Sequence, residues 1–165
     1  MSQADTIKGH AVVMQPGDGP SYWQPVPANG HADPKLFPAN TRFEGLSMGF
    51  QTVAPGSRIR EHAHDQQIEV QVCFRGRGHV MVDGVRHELM PGTCCFLGHE
   101  VRHEIHNDGP DELVMLWIVS PHGLEHFFEA IGRPRTPGEA APGPFERPAD
   151  VTAIERRSGL QAAAP

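Results

Sequence analysis

The sequence predicts an all-β fold, a sandwich or barrel of short strands. Three observations carry that expectation. Gly (18) and Pro (16) are abundant among 165 residues, which favours short elements and many turns over long helices. From Thr41 to Ser120, short runs of alternating apolar and polar residues recur with turn residues between them. Among these, Asp83-Gly84 separates GHVMV from VRHEL, the two-residue signature of a hairpin turn that needs positive φ.

The length suits one compact domain, and an apolar fraction of 38% is enough for one core. A formal net charge of −6 argues against nucleic acid as a partner. No apolar run approaches the roughly 18 residues of a membrane span. The start, MSQADTIKGH, lacks the basic-then-apolar order of a signal peptide. A cytoplasmic protein with no membrane partner is therefore expected. Cys73, Cys94 and Cys95 are an odd set without a CxxC, and read as free thiols in a reducing compartment.

Residues 1–40 carry six prolines and no sustained period. They read as an extended N-terminal arm, anchored by Tyr22, Trp23, Leu36 and Phe37. FEGLSMGFQTVA then forms a strand or a strand pair, ending at Ala54-Pro55-Gly56. SRIREHAH alternates, placing Arg58, Arg60, His62 and His64 on one face and Ile59 on the other. After Asp65-Gln66-Gln67, IEVQVCF puts Glu69, Gln71 and Cys73 opposite Val70, Val72 and Phe74. Pro91-Gly92 makes a turn, CCFL a short strand and LVMLWIV a strand apolar on both faces, which needs cover on both. The barrel core is thus expected over residues 41–121.

The period changes at Pro121. HGLEHFFEAIG sets Leu124, Phe127, Phe128 and Ile131 on one helical stripe, with Gly132 as C-cap. Residues 133–148 form a Pro-rich extended segment, and PADVTAIERRSG a short surface helix with Asp150 at its start and Gly159 after it. Residues 122–165 are thus expected as a C-terminal helix and Pro-rich tail packing on the barrel.

The chemistry concentrates in GSRIREHAHDQQIEVQVCFRG. His62 and His64, two apart on a strand, project from one face, and Glu69 returns on the neighbouring strand. Imidazole suits divalent first-row metals, and a carboxylate adds hard oxygen and charge compensation. The wider pattern is Gly56, His62, His64, Glu69 and Gly76, followed by Gly92, His103 and Asn107.

On these residues the chain resembles the cupin superfamily, whose two short motifs have this form. The second motif departs where the family usually has proline and glycine before the histidine; here stand Gly98 and Glu100. The resemblance covers about residues 41–121. It implies a cupin jelly-roll (double-stranded β-helix) barrel, a homodimer, and a single divalent ion (iron, manganese, nickel, cobalt or zinc) held by His62, His64, Glu69 and His103. His99 and His106 lie close enough in sequence to His103 to support it.

Catalytic candidates are Glu69, Gln71 and Arg60. Gln71 shares the face of Glu69, and a buried amide needs a partner. Arg60 shares the face of His62, where it either meets an anionic substrate group or lies at the rim, paired with Glu61 or Asp65. Three functions remain open. A dioxygenase acting on a small chelating enol, phenol or diketone comes first; similarity to bacterial quercetin-dioxygenase-like cupins extends loosely to GLEHFFEAIG. A non-redox lyase, isomerase or cyclase is second, with Glu61, Glu100 or His106 as proton carriers. A small-molecule-binding cupin without catalysis is third.

Overall fold

The computed structural model describes residues 9–162. In chain order the elements are β1 (Tyr22–Trp23), β2 (His31–Leu36), α1 (Pro38–Thr41), β3 (Ser47–Val53), β4 (Arg58–His64), β5 (Ile68–Arg75), β6 (Gly78–Val82) and β7 (Val85–Leu89). They continue with β8 (Cys94–Leu97), β9 (His103–His106), β10 (Leu113–Ser120), α2 (Leu124–Ile131), β11 (Arg133–Pro134), α3 (Val151–Arg157) and β12 (Leu160–Ala162). A seven-stranded sheet has the order β11-β1-β2-β3-β10-β5-β8, and a five-stranded sheet the order β12-β4-β9-β6-β7. This is the all-β, double-stranded β-helix architecture expected. Hydrogen bonding does not close the two sheets into one continuous barrel. No helix among the described residues is long and apolar enough to cross a membrane, which says nothing of strands.

Alternation along each strand sorts side chains between core and surface. Val53, Cys73, Val80, Leu89, Ile105, Leu113 and Met115 come from both sheets and form one cluster between them. The Asp83-Gly84 hairpin forms as the sequence demands, with φ of 46° and 79° at the two turn residues and Val82 paired to Val85.

β1 and β2, from the segment read as an extended arm, are added to the larger sheet beside β3. β2 contains Pro34, which cannot donate to a ladder, and the pairing with β3 shifts register between Pro34 and Leu36. The buried Lys35 amine is satisfied by the carbonyls of Pro16 and Asp18.

The expected alternation in β4 fails midway. Ile59 pairs with Ile105 but His62 pairs with His103, so β4 carries one residue more than β9 over this span. Such a bulge reverses the facing of everything before it. Ile59 therefore packs on the inner cluster, on the same side as His62, while Arg58 is exposed.

A second cluster joins Ala32, Trp117 and Val119 of the larger sheet to Leu124, Phe127, Phe128 and Ile131 of α2, Ile154 of α3 and Leu160 of β12. The helical stripe forms as expected, with Phe128 only 2% exposed and its ring 5.5 Å from that of Trp117. Gly132 closes α2, its N–H donating to Phe128 O, at a place where a Cβ would meet Phe128 O at 2.6 Å and Trp23 O at 2.8 Å. The stripe covers the inner face of β10, not an outer one. The expected surface helix α3 is partly interior: Ile154 and Glu155 are both buried, and Asp150 makes no side-chain cap.

Candidate metal centre

Four side chains from three strands meet between the sheets. His62 and His64 come from β4, Glu69 from β5 and His103 from β9, and one ligand atom from each lies within 4.8 Å of the others. His64, Glu69 and His103 are almost fully buried. The ring centroids of His62 and His103 are 4.1 Å apart, and those of His62 and His64 5.3 Å.

Each imidazole is oriented by its outer nitrogen. His62 Nδ1 donates to Arg60 O at 2.9 Å and His103 Nδ1 to Val101 O at 3.1 Å. His64 Nδ1 donates to Gln67 Oε1 at 3.0 Å, and the Gln67 amide nitrogen donates in turn to Pro121 O and His122 O. Carbonyl and amide oxygens only accept, so each Nδ1 carries a proton, and in the neutral imidazole each Nε2 is left with a lone pair.

Two of those lone pairs face the same carboxylate oxygen: His64 Nε2 and His103 Nε2 are each 3.1 Å from Glu69 Oε2. Lone pairs pointed at a carboxylate repel it unless a proton or a metal cation lies between them. Two donors held about 2.1 Å from one ion at right angles stand about 3.0 Å apart, close to this spacing. In the metal-free chain a proton on Nε2 can take the cation's place as donor to Glu69. Burial alone would raise the Glu69 carboxyl, but hydrogen bonds from His103 and His64 and the fields of those rings outweigh it and hold the group well below the usual carboxylate range. Burial, reinforced by His103 and His64, pushes His62 well below the ordinary imidazole value and keeps it neutral, the form that binds metal. Burial would also lower His64, but the hydrogen bond and charge of Glu69 prevail and raise it. The residues fit a divalent ion.

The remaining motif residues have structural work. Asn107 is buried, donates to Val53 O and Asp111 O and accepts from Gly109 N, pinning the turn after β9. Glu100, where the family usually has glycine, keeps the glycine conformation at φ 64°. Its N–H bonds His64 O at 2.9 Å and its side chain accepts from Gln161. The departure thus preserves the turn.

Gln71 is buried and its Oε1 has no partner among the described residues, as a pocket-lining amide would be. Arg60 pairs with neither Glu61 nor Asp65; its Nη2 lies 2.7 Å from Oε1 of Glu155 on α3. Glu61 is held by Arg102 at 3.1 Å. His99 is exposed, and His106 stacks on His79 with ring centroids 4.5 Å apart, opposite in facing to His103 along β9. Neither supports His103: Val101 O orients that ring, as Arg60 O orients His62 and Gln67 orients His64, and sequence reasoning missed Gln67. Arg147 and Glu155 were also missed, because nothing local marks them.

A cavity runs beside the centre, lined by His62, Glu69, Gln71, Gln51, Ile59, Arg60 and Glu61 from the sheets and by Leu124, Phe127, Phe128, Arg147, Glu155 and Leu160 from the C-terminal part. His122, Glu125 and His126 form a second group with metal-ligand geometry at the start of α2. There His122 bridges carboxylates, with Nε2 2.8 Å from Glu44 and Nδ1 2.9 Å from Glu125.

Comparison with known proteins agrees with this fold. The family described as "Cupin domain" matches residues 49–119. Protein SchB of Streptomyces halstedii is 34% identical over 74 residues, 45% of this chain and 54% of that protein. Polyketide synthase CurC of Streptomyces cyaneus is 32% identical over 74 residues, 45% of this chain and 48% of that protein. The chain thus spans about half the length of the curated relatives it matches. Among solved structures, one described as a predicted oxalate decarboxylase from Thermotoga maritima aligns with a TM-score of 0.60 at 18% identity, covering 67% of this chain and 99% of that one. That likeness concerns the fold. With the motif residues gathered between two antiparallel sheets and the family matched across them, residues 49–119 form a cupin domain.

Proposed function

We propose that this protein is a mononuclear metal-dependent cupin that oxidises a small chelating enol, phenol or diketone with dioxygen. The carrying observation is the convergence of three Nε2 lone pairs and the Glu69 carboxylate, each imidazole locked by its Nδ1 hydrogen bond. An ion held there by His62, His64, Glu69 and His103 would supply Lewis acidity and, if redox-active, one-electron exchange. The surrounding residues confine the substrate: Phe127, Phe128 and Leu124 wall the cavity with apolar surface, and Gln71 offers a buried acceptor for a substrate hydroxyl.

The candidate proton carriers for a non-redox reaction stand badly for that role. Glu100 is exposed and bonded to Gln161, and His106 stacks on His79, away from the cavity. Glu155 is engaged by two arginines. Glu61 lines the cavity, which keeps a lyase, isomerase or cyclase as the second reading. The relation to CurC, which bears a polyketide synthase's name, suits a chelating substrate, because β-diketone and phenol oxygens are characteristic of polyketides as a class.

Oxygen-electrode assays of iron-, nickel- and cobalt-loaded protein with a catechol, a flavonol and a β-diketone test the proposal. Metal-dependent oxygen uptake with one of them is expected. Metal-dependent turnover with no oxygen uptake would transfer the assignment to the non-redox reading.

A homodimer accompanies this reading. The outer face of the larger sheet aligns Met48, Ile118, Val70 and Phe96 in one row and Phe50, Leu116 and Val72 in the next. Phe96 is 70% exposed and Phe74 60% exposed. Apolar surface of this extent on an antiparallel sheet suits a second copy of the chain.

A further inference from the structure

We propose that Arg60 and Arg147 form a subsite for an anionic oxygen of the substrate, a carboxylate or an ionised phenol or enol distinct from the oxygens that reach the histidines. The inference deepens the functional reading above and rests on it, since it takes the cavity beside the His/Glu centre as the place where substrate sits.

The case begins with charge. Arg60 Nη2 and Arg147 Nη1 lie 2.7 Å from one and the same oxygen, Glu155 Oε1. Two guanidiniums therefore share one carboxylate, and among the described residues one positive charge is left without its own counter-ion. The other carboxylate of the lining outside the centre, Glu61, is bound to Arg102. Side-chain exposure is 33% for Arg60, 19% for Arg147 and 7% for Glu155, so solvent screens the excess only in part. Arg60 Nε is buried and has no partner among the described residues, leaving an unused donor beside that charge. Burial, and then the field of Arg60, holds Arg147 below the ordinary guanidinium value.

A purely structural lock between β4, the Pro-rich segment and α3 would need one guanidinium for one carboxylate. The second arginine adds a repulsive neighbour that the fold must hold in place, and Arg147 sits over the Phe127 ring, 6.0 Å from its centroid. Both arginines line the cavity that contains His62, Glu69 and Gln71. Both also line an adjoining cavity edged by Gln24, Val26 and Pro27. An anion entering this region meets a preset fork of donors, as guanidinium pairs provide for carboxylates. The unpartnered Gln71 Oε1 in the same cavity adds an acceptor, so a hydroxyl next to the anionic group completes the match.

The test measures binding of acetate and benzoate, each against its neutral amide, by NMR titration of the full chain. It is run on metal-loaded protein, on chelator-treated protein, and on Arg147→Gln and Glu155→Gln variants. Each carboxylate should bind about tenfold or more tighter than its amide. Arg147→Gln should erase that advantage while leaving metal content unchanged; it also leaves Arg60 and Glu155 as a balanced pair, so the fold is retained. Glu155→Gln should raise carboxylate affinity, because the competing protein carboxylate is gone. If carboxylates show no advantage, or the advantage survives Arg147→Gln, the subsite is wrong, whatever the metal content. If the advantage depends on Arg147 in protein that never takes up metal, the subsite stands and the metal reading fails.

Discussion

Replacing Gln67 with leucine tests whether the orientation of His64, and not merely its presence, sets metal affinity. Gln67 is 4% exposed, accepts from His64 Nδ1 at 3.0 Å and donates to Pro121 O and His122 O at 3.2 and 2.9 Å. Gln67→Leu removes three hydrogen bonds worth about 1 kcal/mol each, a loss of about 3 kcal/mol. For a domain of this size that lowers Tm by roughly 6–12 °C. It also frees the His64 ring to present a protonated Nε2 to the centre. Losing such an orienting partner weakens metal binding by about 10- to 100-fold, or about 1.4–2.7 kcal/mol. Competition with a chromophoric chelator for zinc or nickel measures the effect, with circular dichroism confirming the fold. Gln67→Glu keeps the acceptor and should retain wild-type affinity within about threefold while losing the two donor bonds. A Gln67→Leu protein that folds and binds metal as tightly as wild type would refute the idea that this hydrogen bond selects the tautomer.

The other predictions concern packing, association and linkage. Phe128→Ala opens a hole against Trp117 and should cost about 3–5 kcal/mol in denaturant unfolding; a loss under about 1 kcal/mol would mean that α2 is not part of the core. Wild-type protein should sediment as a dimer and Val72→Lys as a monomer, and a monomeric wild type would remove the outer sheet face as an interface. Metal present at about a thousand times its dissociation constant stabilises the native state by about 4 kcal/mol, so chelation should lower Tm by roughly 8–16 °C. An unchanged Tm would indicate that the folded chain does not bind the ion preferentially.

The part of this molecule legible in the sequence is the part governed by local periodicity. The Asp83-Gly84 turn, the inward set Glu69, Gln71 and Cys73, and the stripe of α2 follow from backbone geometry, and the structure places them accordingly. The spacing of His62, His64, Glu69 and His103 was legible as well, and the four side chains do meet. The bulge in β4 was not, because an extra residue leaves no compositional mark and turns Ile59 inward without changing its neighbours. β2 was hidden by Pro34 and Lys35, whose buried amine is satisfied by carbonyls nearly twenty residues earlier. Glu155 looks in sequence like one more polar residue of a short helix. Its role depends on Arg60, 95 residues away in the chain, and on Arg147 from a Pro-rich segment without a period.

The centre itself is tested most directly by metal analysis of the purified protein beside the His62→Ala, His64→Ala double variant. About one equivalent of a divalent transition metal in wild type, retained on dialysis or restored by loading, and almost none in the variant is the expected result. A wild-type protein that takes up no metal, or a variant that keeps the full equivalent, would contradict the assignment of His62, His64, Glu69 and His103 as its ligands.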